Sequence, residues 1–301
     1  MHKMIVYFLL VIACVSNSIA HNGGNIEKRV VSWKSTELAK GIYMLEGKAG
    51  NPGANLGLLV GKDGVILIDN GLPKVIEMTM KTIGKIAGGD VSFVINTHGH
   101  LDHTGGNPAY AKKNVTIVAH DNTRKELQSN KEFNQIGLPN ITFNDEITFY
   151  LNGQTVNAFY IQPAHTNNDV VIYFKDANII HAGDMFFNKK FPFIDLDRGG
   201  DIDGFIAGQK KIIELINKDT KIIPGHGLLA NKKDLQTAVN MLIDAKKRVK
   251  DLVDKGMSKE EVLTINPLAT YEKWSWNHIS TKKMTEILYR ALTTKKEQTK
   301  N

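Results

Sequence analysis

The chain has 301 residues, 42% of them hydrophobic and 23% charged, with a formal net charge of +7. That length supports a sizeable core and a single catalytic domain, and one cysteine excludes an internal disulfide framework. The lysines are spread over expected helix faces and do not gather in a stripe with interleaved aromatics, so they read as a solvated basic surface with no nucleic-acid partner.

The chain opens with Lys3, an apolar run over residues 4–15 and then Ser18-Ile19-Ala20, small residues where a signal peptidase reads. Residues 1–20 are therefore expected to be a cleaved signal peptide and residues 21–301 one domain, periplasmic or secreted. The apolar run falls short of the ~20 residues of a membrane span. Val11-Ile12-Ala13-Cys14 also has the form of a bacterial lipoprotein box, which leaves lipid anchoring at Cys14 as the alternative. No stable membrane insertion is expected without that lipid.

Residues 30–33, 41–45, 55–60 and 65–68 are short apolar or alternating segments broken by Gly and Asn, the pattern of a strand meander. Residues 47–53 hold three glycines and a proline in seven positions and read as an exposed hairpin loop. Pro73 opens an expected helix to about Ile86, and the β-branched run 91–95 reads as a buried strand. Helix is expected over 107–113 and strand over 116–118, with Asp121 or Asn122 capping the next helix. A strand-rich block covers 141, 149–151, 156–161, 170–174 and 179–180, followed by helices over 203–217, 232–256, 258–263 and 281–292. The polar residues 293–301 are expected to be disordered.

Residues 97–106 read Thr97-His98-Gly99-His100-Leu101-Asp102-His103-Thr104-Gly105-Gly106, with three imidazoles and a carboxylate in six consecutive positions. The cluster ends the expected strand 91–95, which is where open α/β sheets place their chemistry. Neutral imidazole and carboxylate are ligands for a borderline cation such as Zn²⁺, and four in one turn can serve two ions but enclose neither. Further donors end later strands: His165 after Pro163-Ala164, Asp184 after Ala182-Gly183, and His226 after Pro224-Gly225. Five imidazoles and two carboxylates suffice for two ions with water. The simplest division gives His98, His100 and His165 to one ion and Asp102, His103 and His226 to the other, with Asp184 bridging. Spacing alone does not assign ligands to ions.

Around this set, Asp69 is expected to orient a ligand histidine, while His120 and His181 read as structural. Trp274 and Trp276 are expected in the core beneath the last helix. Lys48, Phe187 and Lys189 flank the expected mouth as candidate substrate contacts; Lys48, Lys189 and Lys190 read first as solvated, with the pairing of one of them to a substrate carboxylate as the alternative.

The cluster His98-x-His100-x-Asp102-His103, followed in order by His165, Asp184 and His226, resembles the metallo-β-lactamase superfamily over nearly the whole chain after residue 20. The resemblance implies an α/β protein, an αββα sandwich of two mixed β-sheets flanked by helices, with a site for two Zn²⁺ ions on one edge. It also implies a zinc-dependent hydrolase of a small-molecule substrate, in which a water shared by the two cations is activated and Asp102 helps to orient it. The commonest class B β-lactamases carry cysteine where Asp184 stands, and often lysine where Phe187 stands. A bridging aspartate is similar to glyoxalase II and the lactonases, although no glutathione-recognition pattern is evident after His226. Flavodiiron proteins differ at His100 and append a flavin domain, and RNase Z needs an RNA-holding arm not evident here. The expected reaction is thus cleavage of a cyclic amide or activated acyl bond, β-lactamase-like, with a lactonase or glyoxalase II-like thioester hydrolase as the alternative.

Overall fold

Strands β3 (Leu56–Gly61) and β4 (Gly64–Ile68) carry apolar side chains on both faces and are buried almost throughout. A strand reads this way when its sheet is covered on two sides. The computed structural model, which describes residues 31–49 and 52–298, shows what does the covering. The expected signal peptide and Cys14 lie outside the described residues.

The first sheet runs β1 (Ser32–Ala39), β2 (Ile42–Ala49), β3, β4, β5 (Phe93–Ile95), β6 (Thr116–His120), β7 (Ile141–Phe143). It is antiparallel as far as β4 and parallel from β4 to β7. The second sheet has the order β13 (Ala230–Asn231), β12 (Lys221–Ile223), β11 (Ile179–His181), β10 (Val170–Phe174), β9 (Gln154–Tyr160), β8 (Glu146–Leu151). Only β11 and β12 pair in parallel in it.

Between the sheets Ile66, Ile95 and Val118 of the first meet Ala158, Ile172 and Ile223 of the second in one buried cluster. The outer face of the first sheet is covered by α1 (Ile76–Ala87) and α3 (Asn107–Ala111), through Ile83 and Tyr110. The outer face of the second lies under α5 (Ile202–Leu215), α6 (Lys232–Asp254) and α8 (Thr281–Gln298), through Phe205, Leu242 and Leu288. This is the αββα sandwich, each sheet apolar on two faces because each has two neighbours. Among the described residues no helix is long and apolar enough to cross a membrane.

Three local expectations change. The edge strand β1 continues to Ala39 through polar Thr36 and Glu37, since an edge strand needs apolar residues on one face only; its pairing of Trp33 with Gly47 draws Gly47 and Lys48 into β2 and out of the expected loop. Helix α4 (Asp121–Ser129) is capped by neither Asp121 nor Asn122. The cap is His120, whose side chain accepts from the Asn122 amide. Residues 293–298 are the last turns of α8 and not a disordered tail, while 299–301 lie outside the described residues.

Candidate metal centre

Because β4 and β5 are parallel, their C-terminal ends reach the same edge, and β9, β11 and β12 end on that edge in the other sheet. His100 is the extended N-cap of the one-turn helix α2 (Leu101–Thr104), which sets Asp102 and His103 in the first turn. Asp184 sits in a 3-10 turn (Gly183–Met185) after β11, and His226 follows β12. Gly225 donates its amide to Gly183 O at 2.7 Å, and the Asn188 amide donates to His226 O at 2.9 Å, so the segments bearing Asp184 and His226 are tied together. Asn55, from the far sheet, closes the edge by donating Nδ2 to Pro224 O and Gly227 O, each at 2.8 Å.

Three imidazole nitrogens converge at one point. His98 Nε2 lies 3.0 Å from His100 Nδ1 and 3.2 Å from His165 Nε2, which is 2.9 Å from His100 Nδ1. Nitrogens around one tetrahedral zinc at 2.0–2.1 Å are spaced about 3.3 Å. The outer nitrogens are all engaged: His98 Nδ1 with Thr97 Oγ1 at 3.1 Å, His165 Nδ1 with Phe193 O at 2.6 Å, and His100 Nε2 with Asp195 Oδ2 at 3.0 Å. Donation outward leaves the inward nitrogens as lone pairs, the tautomers that a cation requires.

The second group is Asp102, His103 and His226. Asp102 Oδ2 is 3.6 Å from His103 Nε2 and 3.4 Å from His226 Nε2. Asp184 stands between the groups with one oxygen for each: Oδ2 is 3.4 Å from His165 Nε2, and Oδ1 is 3.3 Å from His103 Nε2 and 3.5 Å from His226 Nε2. The donor atoms of His98, His100, His165 and Asp184, and likewise those of Asp102, His103 and His226, lie within 4.8 Å of one another. His103 Nε2 and Asp184 Oδ1 are buried without a hydrogen-bond partner. Orphaned buried polar atoms are costly, and both face the point where a cation would satisfy them. The residues present therefore fit a metal pair.

Charge is distributed to match. Burial, aided by neighbouring imidazoles, keeps His98 well below the usual histidine range, and burial lowers His165 to about 4. Burial would also lower His226, but Asp184 and Asp102 outweigh it and hold this ring at about 9. Asp102 and Asp184 are both lowered: burial opposes ionisation, yet His103 beside Asp102, and His226 and His103 beside Asp184, prevail. His103, which burial would lower, is raised well above the usual range by Asp69, Asp102 and Asp184, so the two carboxylates face two protonated imidazoles, whose protons a cation pair would replace.

Asp69 stands where expected, accepting from His103 Nδ1 at 2.7 Å. Lys48 reaches the cavity rim, paired with Glu46 at 2.9 Å. Phe187 is buried and stacks on His226 at 5.1 Å and 17°. Lys189 is not at the mouth: its φ of 57° turns it to a separate cleft beside Asp234 and Trp274, and Lys190 faces the site instead. Trp274 is in the core, but Trp276 lines the cavity, tilted 5.4 Å from His226 and fixed by Nε1 donating to Phe191 O at 2.9 Å. Asp195 carries no signal in the sequence that ties it to the site, because its bond to His100 spans 95 positions.

An αββα sandwich carrying two adjoining histidine–aspartate donor groups on one edge defines a metal-binding enzyme fold. Residues 49–226, more than half of the chain, match the family model of the metallo-beta-lactamase superfamily, and the chain belongs to that superfamily. It is 27% identical over 158 residues to a hydroxyacylglutathione hydrolase of a Polaromonas species, covering 52% of this chain and 55% of that one. It is 23% identical over 151 residues to a Bacteroides fragilis metallo-beta-lactamase type 2, covering 50% and 59%. The chain thus spans little more than half the length of these relatives. A metallo-beta-lactamase from Pontibacter korlensis superposes with a TM-score of 0.62 at 20% identity, over 71% of this chain and all of that one, which shows the shared fold.

Proposed function

We propose that the protein is a hydrolase working with two zinc ions, which cleaves a cyclic amide or other activated acyl bond in a β-lactamase-like reaction. The observation that carries this reading is Asp184, with one oxygen turned to each donor group. His98, His100, His165 and Asp184 would hold one cation, and Asp102, His103, His226 and Asp184 the other. When bound, such a pair supplies a water of lowered pKa and polarises an acyl oxygen.

The chain's own residues do the rest. Thr97, Phe193 O, Asp195 and Asp69 lock the ring tautomers of His98, His165, His100 and His103. Asp102, about a quarter exposed on the cavity side, is placed to accept a hydrogen bond from an attacking water. Phe187 and Trp276, 5.1 and 5.4 Å from the His226 ring and 6.0 Å from each other, form an aromatic cluster with it that excludes solvent there. Lys48 and Phe187 contact the substrate from the rim and the floor, and residues 1–20 act as an export signal to the periplasm or medium.

A second reading, thioester hydrolysis, is supported by the likeness to a hydroxyacylglutathione hydrolase. Hydrolysis by the zinc-loaded protein of a chromogenic cephalosporin, a homoserine lactone and S-lactoylglutathione, each with a chelated control, separates the two. Chelator-sensitive turnover of the cephalosporin is expected. Turnover confined to the thioester moves the assignment to the second reading, and no turnover of any of the three overturns both.

A further inference from the structure

Behind the one-turn helix α2 lies a second cavity, ≈ 640 Å³, which none of the seven donor residues lines. Its apolar walls are Ile76 of α1, Pro108 and Ala109 of α3, Leu127 of α4 and Phe133 just beyond it, while the charged Lys112 and Glu132 are exposed at its rim. On the other side of α2 the metal-side cavity, ≈ 510 Å³, is walled by Leu72, Leu101, Phe187, Phe193 and Ile279 and opens on Asp102 and Asp184. Either volume is in the range that holds a small organic ligand.

Two side chains, Leu101 and Arg198, line both cavities. Leu101 lies between the donors His100 and Asp102 in sequence and is 53% exposed, so the ridge from one cavity to the other carries a large apolar side chain. A single exposed leucine is ordinary on a protein surface; one flanked by apolar walls on both sides is part of a larger patch, and such patches mark binding sites. Arg198 offers no free charge on the ridge. Its guanidinium donates to Glu126 at 2.8 Å and lies 3.6 Å from Asp195, the same carboxylate that faces His100. An uncharged chain therefore suits the passage, whereas a charged group there would lose water without finding a partner.

We propose that the two cavities form one binding gallery, in which a substrate with its acyl group at the donor residues lays an extended alkyl chain over Leu101 into the cleft of Leu127 and Phe133. The substrate class is thus an amphiphilic acyl compound whose apolar tail is longer than the metal-side cavity alone accommodates. The position of the acyl head rests on the hydrolase reading; the cleft for the tail does not. The gain comes from apolar surface leaving water, about fourfold in affinity for each methylene fully buried.

The test is calorimetric titration of the zinc-loaded protein with butanoate, hexanoate, octanoate and decanoate, whose carboxylate stands in for the acyl head. Affinity should rise about two- to fourfold per methylene along the series. A109F, which fills the second cavity, should leave butanoate unaltered and flatten the rise beyond hexanoate, with circular dichroism checking the fold. L101N, at an exposed position, should weaken octanoate about fivefold. Affinity independent of chain length overturns the proposal, as does an A109F variant that follows the wild-type series. Octanoate binding undiminished in chelator-treated protein also overturns it, because the cleft would then hold free amphiphiles with no link to the donor residues. None of these readouts is turnover, so an enzyme inactive on every acyl substrate would discard the hydrolase reading and leave the gallery to be decided by the chain-length series.

Discussion

Asp69 and His103, both wholly buried and 34 positions apart, face each other at 2.7 Å between Asp69 Oδ2 and His103 Nδ1. The same carboxylate accepts from the Thr97 amide and hydroxyl, each at 2.8 Å, so one side chain orients a candidate ligand and ties down the loop that bears two others. Asp69 itself adopts a left-handed φ of 57°, a backbone cost that its three bonds offset.

Asp69→Ala should therefore weaken zinc binding about 10- to 100-fold while the fold persists. Competition with a chromogenic chelator measures the affinity, and far-ultraviolet circular dichroism checks the fold. Unchanged affinity would show that His103 needs no carboxylate behind it.

Gly225 has no room for a side chain. A Cβ there would stand 2.0 Å from Asp184 Oδ1 and 2.8 Å from the Gly183 carbonyl. Gly225→Ala must push Asp184 out of its place between the two donor groups. Expected are a destabilisation of roughly 1–3 kcal/mol in urea, typical of overpacking, and a fall in bound zinc per chain. A variant with full zinc content and wild-type stability contradicts the packing described.

Asn55 holds the His226 segment from across the sandwich through two Nδ2 bonds, and its own amide donates to Gly225 O at 2.8 Å. Asn55→Ala strands two carbonyls at about 1–3 kcal/mol each where they stay dry. Chemical denaturation should show that loss, and turnover should fall with it as His226 drifts. The neighbouring Glu46→Gln, on the exposed rim, should leave denaturation unaltered.

His120 supplies a pH dependence away from the metal centre. Burial lowers its pKa below 6.5, and its Nδ1 must be unprotonated to accept from the Asn122 amide at 3.1 Å. A histidine lowered in the fold binds its proton more readily when unfolded, so its contribution is fully present above 6.5 and is lost as pH falls from there through the lowered value of the folded state. Unfolding free energy measured from pH 7.5 to 5 should drop more steeply in wild type than in His120→Asn, which keeps a capping side chain without the titration. Parallel curves would assign the pH dependence elsewhere.

Donor chemistry was legible in the sequence because ligation is a matter of residue type. The run His98 to His103, with His165, Asp184 and His226 each closing an apolar strand, already specified imidazoles and carboxylates at strand ends, and strand ends share an edge. Layering was legible through the resemblance that the donor order carries, and strands apolar on both faces, such as residues 65–68, agree with it because they need two neighbours. Edge strands and helix ends were less so. Thr36 and Glu37 are extended because β2 pairs with them, and α8 continues beyond residue 292 through the helix formers of residues 295–298, whose polarity reads as disorder when their helix propensity is set aside.

Tertiary structure alone decided which atoms face which. That Asp195 meets His100, that Asn55 meets Pro224 O, that Lys189 turns away while Lys190 turns in, and that Trp276 leaves the core for the cavity depend on loops brought together from distant parts of the chain. A local pattern records each residue's own preference for helix, strand, burial or charge. It does not record the partner across the sandwich, because that contact exists only once both sheets have packed.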